Sequence, residues 1–306
     1  MKKFTINSTI DNTKLNCIDF HPSMKNPKCV IQIIHGMAEY INRYAPLAEY
    51  FNDLNIKVIG MDLRGHGKTG QNINQLGHIS DYDGHTKIVE DTYDLNYWIQ
   101  KRYPNSKKFI LGHSFGSIIL LNYLFKYHET IDGAIVCGSP GFASIKEKMS
   151  NKLSFFLAKH QGPQYINDKI NKMAFSSANK KIKKNRTEWD WLNNNNNEVD
   201  KYIADPLCGF KCSNSFFYNL TTLIIKMSQA ENIDLIPRDK KILFISGKED
   251  PIGGYGNKNY KVVNYYKKNN FQNIELKLYN GMRHEILLEN DREDVFQDIY
   301  NFINNV

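Results

Sequence analysis

Lys107-Lys108-Phe109-Ile110-Leu111-Gly112-His113-Ser114-Phe115-Gly116-Ser117 decides the reading of this chain. A short apolar run precedes Gly112 and a long one, Ile118 to Phe125, follows Gly116, so G-x-S-x-G falls between a strand and a buried helix. A serine on so sharp a turn has a strained backbone and a hydroxyl thrust out of the sheet. The flanking glycines leave room for the turn and for close helix packing. A surface serine in an ordinary tight turn would leave the paired glycines unexplained.

Working outward, apolar runs bounded by turn signals recur at 29–34, 56–61, 109–111, 134–137, 242–245 and 274–278. Helical periodicity falls near 44–55, 89–102, 117–127, 257–269 and 291–304. Residues 4–20 read as a hairpin with a polar turn. Strand–helix alternation with continuously apolar strands predicts an α/β fold, a mostly parallel central sheet covered by helices on both faces. The rhythm breaks over 141–236, a Lys- and Phe-rich, helix-like stretch, and resumes at Lys241. The expected organisation is therefore a core of 1–140 and 237–306 with a helical cap, 141–236, inserted between its halves. Ligands of such sheets bind beyond the carboxyl ends of the strands, so a cap rooted there would roof the site. Its large apolar residues, among them Leu153, Phe155, Phe156, Met173, Phe216 and Phe217, are expected to divide between cap core and the lining of a channel to the site. Five asparagines at 193–197 read as a solvated loop.

A serine hydroxyl is a weak nucleophile at neutral pH. It needs a base in hydrogen-bond reach, and the base needs an acid that fixes its tautomer. Asp250, in Ser246-Gly-Lys-Glu-Asp250-Pro, follows an apolar strand. It is preferred to Glu249 because it is shorter and the following proline restricts its backbone. His284, in Gly281-Met-Arg-His284-Glu, follows the last strand and completes the order Ser, Asp, His. His66, His78 and His85 precede the serine, and His113 lies inside its turn. An oxyanion hole would use the backbone N–H of Phe115 and one from the loop after an early strand, where His35-Gly36-Met37 places Met37 N–H. Asp62-Leu-Arg64-Gly-His66-Gly is read as a loop-shaping segment.

These blocks together (His35-Gly-Met-Ala-Glu-Tyr40, Asp62-Leu-Arg-Gly-His-Gly-Lys-Thr69, Gly112-His-Ser-Phe-Gly116, Gly247-Lys-Glu-Asp-Pro251 and Gly281-Met-Arg-His-Glu285) resemble the α/β-hydrolase group of monoacylglycerol lipases and bacterial lysophospholipases, the serine aminopeptidase S33-type hydrolases. They run in family order from residue 31 to 289. The resemblance implies the α/β-hydrolase fold, a Ser114–Asp250–His284 triad, Met37 and Phe115 as oxyanion donors, no metal and no organic cofactor. It implies a serine carboxylic-ester hydrolase acting on a single-acyl lipid. A small-ester esterase, thioesterase or peptidase of the same chemistry is the nearer alternative, and a non-catalytic binding protein the more distant one. The stretch after His35-Gly36 departs from the family's pattern at Glu39-Tyr40, which concerns the pocket wall.

Bulk properties set the remaining expectations. The 306 residues are 41% hydrophobic and 24% charged, as in globular proteins. The first residues lack the apolar core of a secretory signal, and no apolar run is long enough to span a membrane. Cys17, Cys29, Cys137, Cys208 and Cys212, an odd and scattered set, point to reduced thiols and a cytoplasmic location. Of the net charge of +8, residues 141–240 contribute +6, with 16 Lys+Arg against 10 Asp+Glu, densest at 180–186. That basic cap reads as a solvated face or as a transient contact with anionic membrane surfaces. No nucleic-acid module accompanies it.

Overall fold

The computed structural model describes residues 1–305. Its first half contains β1 (Lys2–Asn7), β2 (Lys14–Asp19), β3 (Cys29–Ile34), α1 (Ala45–Asn52), β4 (Ile56–Met61), α2 (Gly67–Gln71), α3 (Gly84–Arg102), β5 (Lys107–His113), α4 (Phe115–Tyr127) and β6 (Gly133–Cys137). Five helices follow: α5 (Ile145–Gln161), α6 (Asp168–Phe175), α7 (Asn196–Ala204), α8 (Asn214–Lys226) and α9 (Ala230–Ile233). The chain then returns through β7 (Lys241–Gly247), α10 (Asn257–Lys268), β8 (Ile274–Tyr279) and α11 (Arg292–Asn304).

The strands form one sheet in the order β1-β2-β4-β3-β5-β6-β7-β8. The β1–β2 hairpin is antiparallel and joins β4 antiparallel, and all strands from β4 to β8 are parallel. Side chains alternate across this sheet with period two. Ile110, Ala134, Val136, Ile242 and Phe244 enter one core with α3, α4 and α10. Phe109, Leu111, Ile135, Cys137, Leu243 and Ile245 enter the other, with α1 and α11. A strand buried on both faces must be apolar throughout, which is why these runs are continuous. The strand read at 109–111 extends to Lys107–His113, and the helix expected at 117 starts at Phe115.

The helical region between β6 and β7 lies against the sheet domain through α8. Asn122 Nδ2 of α4 donates to Leu223 O at 3.0 Å, and Phe216, Phe217, Leu223 and Ile224 are buried. Two expectations about this region fail. The asparagine run is no solvated loop: Asn193 is fully buried, Asn194 pairs with Glu289 through its N–H at 3.0 Å, and Asn195 caps α7 by accepting from Asn197 N–H. Composition signals solvation only when no partner is near, and here the loop around Glu289 supplies one. The channel-lining expectation fails at Leu153, Phe155, Phe156 and Met173, which are 43–57% exposed. All five cysteines are free and buried.

Candidate active site

The carboxyl ends of β3, β5, β6, β7 and β8 converge on one edge of the sheet. At the end of β5 the chain reverses through Ser114, whose φ of 53° and ψ of −113° lie outside the ordinary wells of an L residue. The flanking glycines permit this. A Cβ on Gly116 would sit 2.0 Å from Ile34 O, and one on Gly112 would sit 2.3 Å from Gly116 O. The turn is pinned by Ser114 N–H donating to Cys137 O at 2.9 Å and by Ser117 Oγ donating to Ser114 O at 2.6 Å. Ser114 is half-buried and stands at the N-terminus of α4, where the helix dipole favours developing negative charge.

Asp250 lies in the loop after β7, fully buried, and His284 in the loop after β8 is 2% exposed. The structure brings these two together: His284 Nδ1 lies 3.0 Å from Asp250 Oδ1. Ile252 N–H and Ser246 Oγ also donate to the carboxylate, at 2.8 and 3.3 Å, so it cannot swing away. An ionised carboxylate only accepts, so Nδ1 carries the proton and Nε2 is left as the basic nitrogen. Glu249, the competing acid, is exposed and faces Arg283 at 4.0 Å. The His284 ring packs on Trp191, with centroids 5.2 Å apart, and on His113, at 4.9 Å. A Cβ on Gly138 would come within 3.2 Å of its Cε1.

Across the serine stands the loop after β3. A Cβ on Gly36 would lie 3.3 Å from Ser114 Cβ. Among the described residues, neither Met37 N–H nor Phe115 N–H has an intramolecular acceptor. The Gly36–Met37 peptide is held by a buried histidine. Leu63 N–H donates to His35 Nε2 at 3.0 Å, so the His35 proton sits on Nδ1 and is donated to Gly36 O at 2.8 Å. The peptide is trans, so fixing Gly36 O on one side aims Met37 N–H to the other. Burial pushes the His35 pKa down and keeps the ring neutral for this task.

Glu39, His113, Arg43 and Glu285 form a network behind the site that the sequence reading missed. The Glu39 carboxylate accepts from Gly36 N–H at 2.6 Å, Tyr44 Oη at 2.9 Å, Arg43 at 2.9 Å and His113 Nδ1 at 3.2 Å. Burial alone would raise its pKa, but His113 and Arg43 outweigh burial and hold it well below the carboxylate range. His113 is buried too, which disfavours its charge, yet Glu39 overrides this and raises its pKa. Its Nε2 donates to His284 O at 3.2 Å, so both ring nitrogens act as donors, as an imidazolium requires. Arg43 also pairs with both oxygens of Glu285, the residue after His284. The only local signal of this network was the i, i+4 spacing of Glu39 and Arg43. Glu39, which the sequence connects only with the pocket wall, is the hub that ties the loop after β3 to the turn after β5.

Arg64 and His66 stand apart from this chemistry. Arg64 is clamped between Asp91 and Asp11, and His66 donates to Arg64 O from within a cluster containing Phe115, Phe210 and Phe216. Among the described residues no group of three His, Cys, Asp or Glu side chains is placed to hold a metal ion.

The chain as a whole is similar to proteins that are already known. The family model described as serine aminopeptidase, S33, matches residues 25–291. The chain is similar to a monoglyceride lipase homolog of Monkeypox virus, 25% identical over 97% of this chain and 96% of that one. It is also similar to a probable lysophospholipase L2 of Haemophilus influenzae, 24% identical over 89% of this chain and 82% of that one. Among solved structures, a thermostable carboxyl esterase of Bacillus coagulans, in complex with glycerol, superposes with a TM-score of 0.92 at 24% identity, covering 100% of this chain and 98% of that one. That superposition establishes the α/β-hydrolase fold.

Proposed function

The chain belongs to the serine aminopeptidase S33 family and is a serine hydrolase, and on that premise we propose that it cleaves the carboxylic ester of single-acyl lipids, monoacylglycerols or lysophospholipids, through Ser114, His284 and Asp250. The observation that carries this reading is the buried His284–Asp250 contact together with the strained turn at Ser114, with the Met37 and Phe115 N–H groups lacking an acceptor among the described residues. In the proposed cycle His284 Nε2 accepts the Ser114 proton as Oγ bonds to the ester carbonyl carbon. Met37 and Phe115 N–H groups hold the resulting oxyanion. Asp250 stabilises the imidazolium without taking its proton. Collapse of the tetrahedral species breaks the bond to the alcohol oxygen, which takes the proton from Nε2. Water then attacks the acyl-enzyme, giving its proton to His284, and the fatty acid leaves as Ser114 is reprotonated.

We take 1–140 and 237–306 as the core and 141–236 as its cap. Lipid substrates accord with the relatives' names, monoglyceride lipase and lysophospholipase. A transient contact of the cap with anionic membrane surfaces is supported by α5. Ile145, Met149, Leu153 and Phe156 form an exposed stripe at helical spacing, and Lys146, Lys148, Lys152 and Lys159 flank it, all exposed. The five unpaired, buried thiols favour a reducing, cytoplasmic setting.

The test is fatty-acid release from 1-monoacylglycerol and from lysophosphatidylcholine, with Ser114→Ala and Asp250→Asn as controls. Turnover of either substrate should vanish with Ser114→Ala and fall by roughly 10⁴ with Asp250→Asn, which offers the histidine the wrong tautomer partner. Cleavage of a short p-nitrophenyl ester alone would retain the triad and remove the lipid assignment. Full activity in either variant would remove that residue from the triad.

A further inference from the structure

The 3-10 turn at 190–192 and the following α7 touch both halves of the proposed machinery. On one side the chain pairs with the histidine loop: Leu192 O accepts from Glu285 N–H at 2.7 Å and Trp191 O from His284 N–H at 3.4 Å. Arg283 Nη1 donates back to Asp190 O and Asn193 O at 2.6 and 3.0 Å. At the other end of α7, Tyr202 Oη donates to Ala38 O at 3.1 Å and Gly209 N–H donates to the same carbonyl at 2.9 Å. Tyr40 Oη, from the loop after β3, donates to Asp205 at 2.8 Å.

Ala38 follows Met37 and is left-handed, with φ of 53°. An L residue with a Cβ holds that conformation only where its surroundings impose it. Two donors on its carbonyl impose it here. The Tyr202 ring is itself fixed, buried against Trp189 with centroids 5.2 Å apart and under the Arg43 guanidinium at 5.0 Å. Releasing the Ala38 carbonyl would let this residue relax toward ordinary φ and turn the Ala38–Glu39 peptide, which loosens the loop next to the Gly36–Met37 peptide and weakens the hold of His35 on the direction of Met37 N–H.

We propose that residues 190–209, although they lie within the inserted helical region, belong to the positioning apparatus of the reaction, with Tyr202 as the positioning residue of the oxyanion loop. The same segment braces the loop of the catalytic base, so one stretch of chain sets the distance between the two. A cap that only enclosed substrate would have no need of backbone hydrogen bonds to both loops. The proposal rests on the serine-hydrolase reading above.

The deciding variant is Tyr202→Phe, which keeps the ring against Trp189 and Arg43 and removes only the hydroxyl. The substrate is p-nitrophenyl acetate, whose two-carbon acyl group is too short to need an acyl-binding wall. A positioning role predicts a roughly tenfold fall in kcat with KM within about twofold, a fraction of the 10²–10³ lost when an oxyanion donor is deleted outright. Phosphonylation of Ser114 by a fluorophosphonate probe should slow by the same factor. An unchanged kcat on the acetate, or a loss confined to long-chain monoacylglycerol through KM, would overturn the proposal. Should Tyr202→Phe not fold, Tyr40→Phe, which frees the Asp205 end of the same clamp, carries the same expectation. Failure of the wild-type protein to label with the probe would instead remove the serine-hydrolase mechanism beneath it.

Discussion

Replacing Ser114 by glycine should abolish hydrolysis and make the protein more stable, whereas alanine should only abolish hydrolysis. The backbone at Ser114, φ 53° and ψ −113°, is costly for any residue with a Cβ. Such strain is of order 1–3 kcal/mol, and it persists because the hydrogen bonds from Ser114 N–H to Cys137 and from Ser117 Oγ to Ser114 O over-determine the turn. Alanine keeps the Cβ and therefore the strain. Glycine removes it but loses about 0.5–1 kcal/mol more conformational entropy on folding. The net difference between the two variants is about 1 kcal/mol in favour of glycine. With an unfolding entropy of about 2.1 cal/mol/K per residue over 306 residues, that is a Tm higher by about 1.5 °C. Both variants lack the hydroxyl, so its desolvation cancels in the comparison. Replicate thermal melts with urea denaturation at 25 °C read the difference directly. A glycine variant no more stable than the alanine one would mean that the turn stores no strain and that Gly112 and Gly116 are not there to permit it.

Two other outcomes follow from the described contacts. If the α5 stripe meets lipid, Met149→Ser with Phe156→Ser should abolish sedimentation with phosphatidylglycerol vesicles and spare hydrolysis of p-nitrophenyl acetate, and unchanged sedimentation would leave the stripe without a role. Burial pushes the His66 pKa down to about 3 from 6.5, so below pH 6.5 the unfolded chain binds a proton that the folded one refuses. Stability is therefore lost as pH falls from 6.5 toward 3, at up to ~1.4 kcal/mol per pH unit from this group. His66→Phe should flatten the pH dependence of urea-unfolding free energy across that interval by about one proton's slope, and parallel curves for the two proteins would contradict it.

The features legible in the sequence share one property: each is announced by its own neighbours in the chain. The β5 strand, the turn at Ser114 and the helix after it are set by local sterics, and Asp250 and His284 follow strands whose apolar runs are continuous. The structure joins Asp250 to His284 and leaves Glu249 exposed beside Arg283. The links from Glu39 to His113, from His113 to the His284 loop and from Tyr202 to Ala38 could not be found this way, because the paired residues lie 74, 171 and 164 positions apart. The asparagines misled for the same reason: the run looks solvated until Glu289 and Gly281 are folded onto it. The exposed α5 residues misled in the other direction, since an apolar side chain does not reveal whether it faces a core or a surface.

The parallel pairing of β6 with β7 also governs how the chain reaches its native state. β6 ends at Cys137 and β7 begins at Lys241, yet Cys137 stands in register with Ile245. Closing a loop of roughly a hundred residues costs only about 1.2 kcal/mol more than closing one of about twenty-five, so the insertion is thermodynamically cheap. It is kinetically expensive, because such a non-local contact forms late. At ribosomal rates of about 5–20 residues per second, β6 leaves the exit tunnel roughly 5–20 seconds before β7. Throughout that interval its apolar edge lacks the strand meant to cover it, and a nascent chain is then most open to chaperones and to its neighbours on the same message.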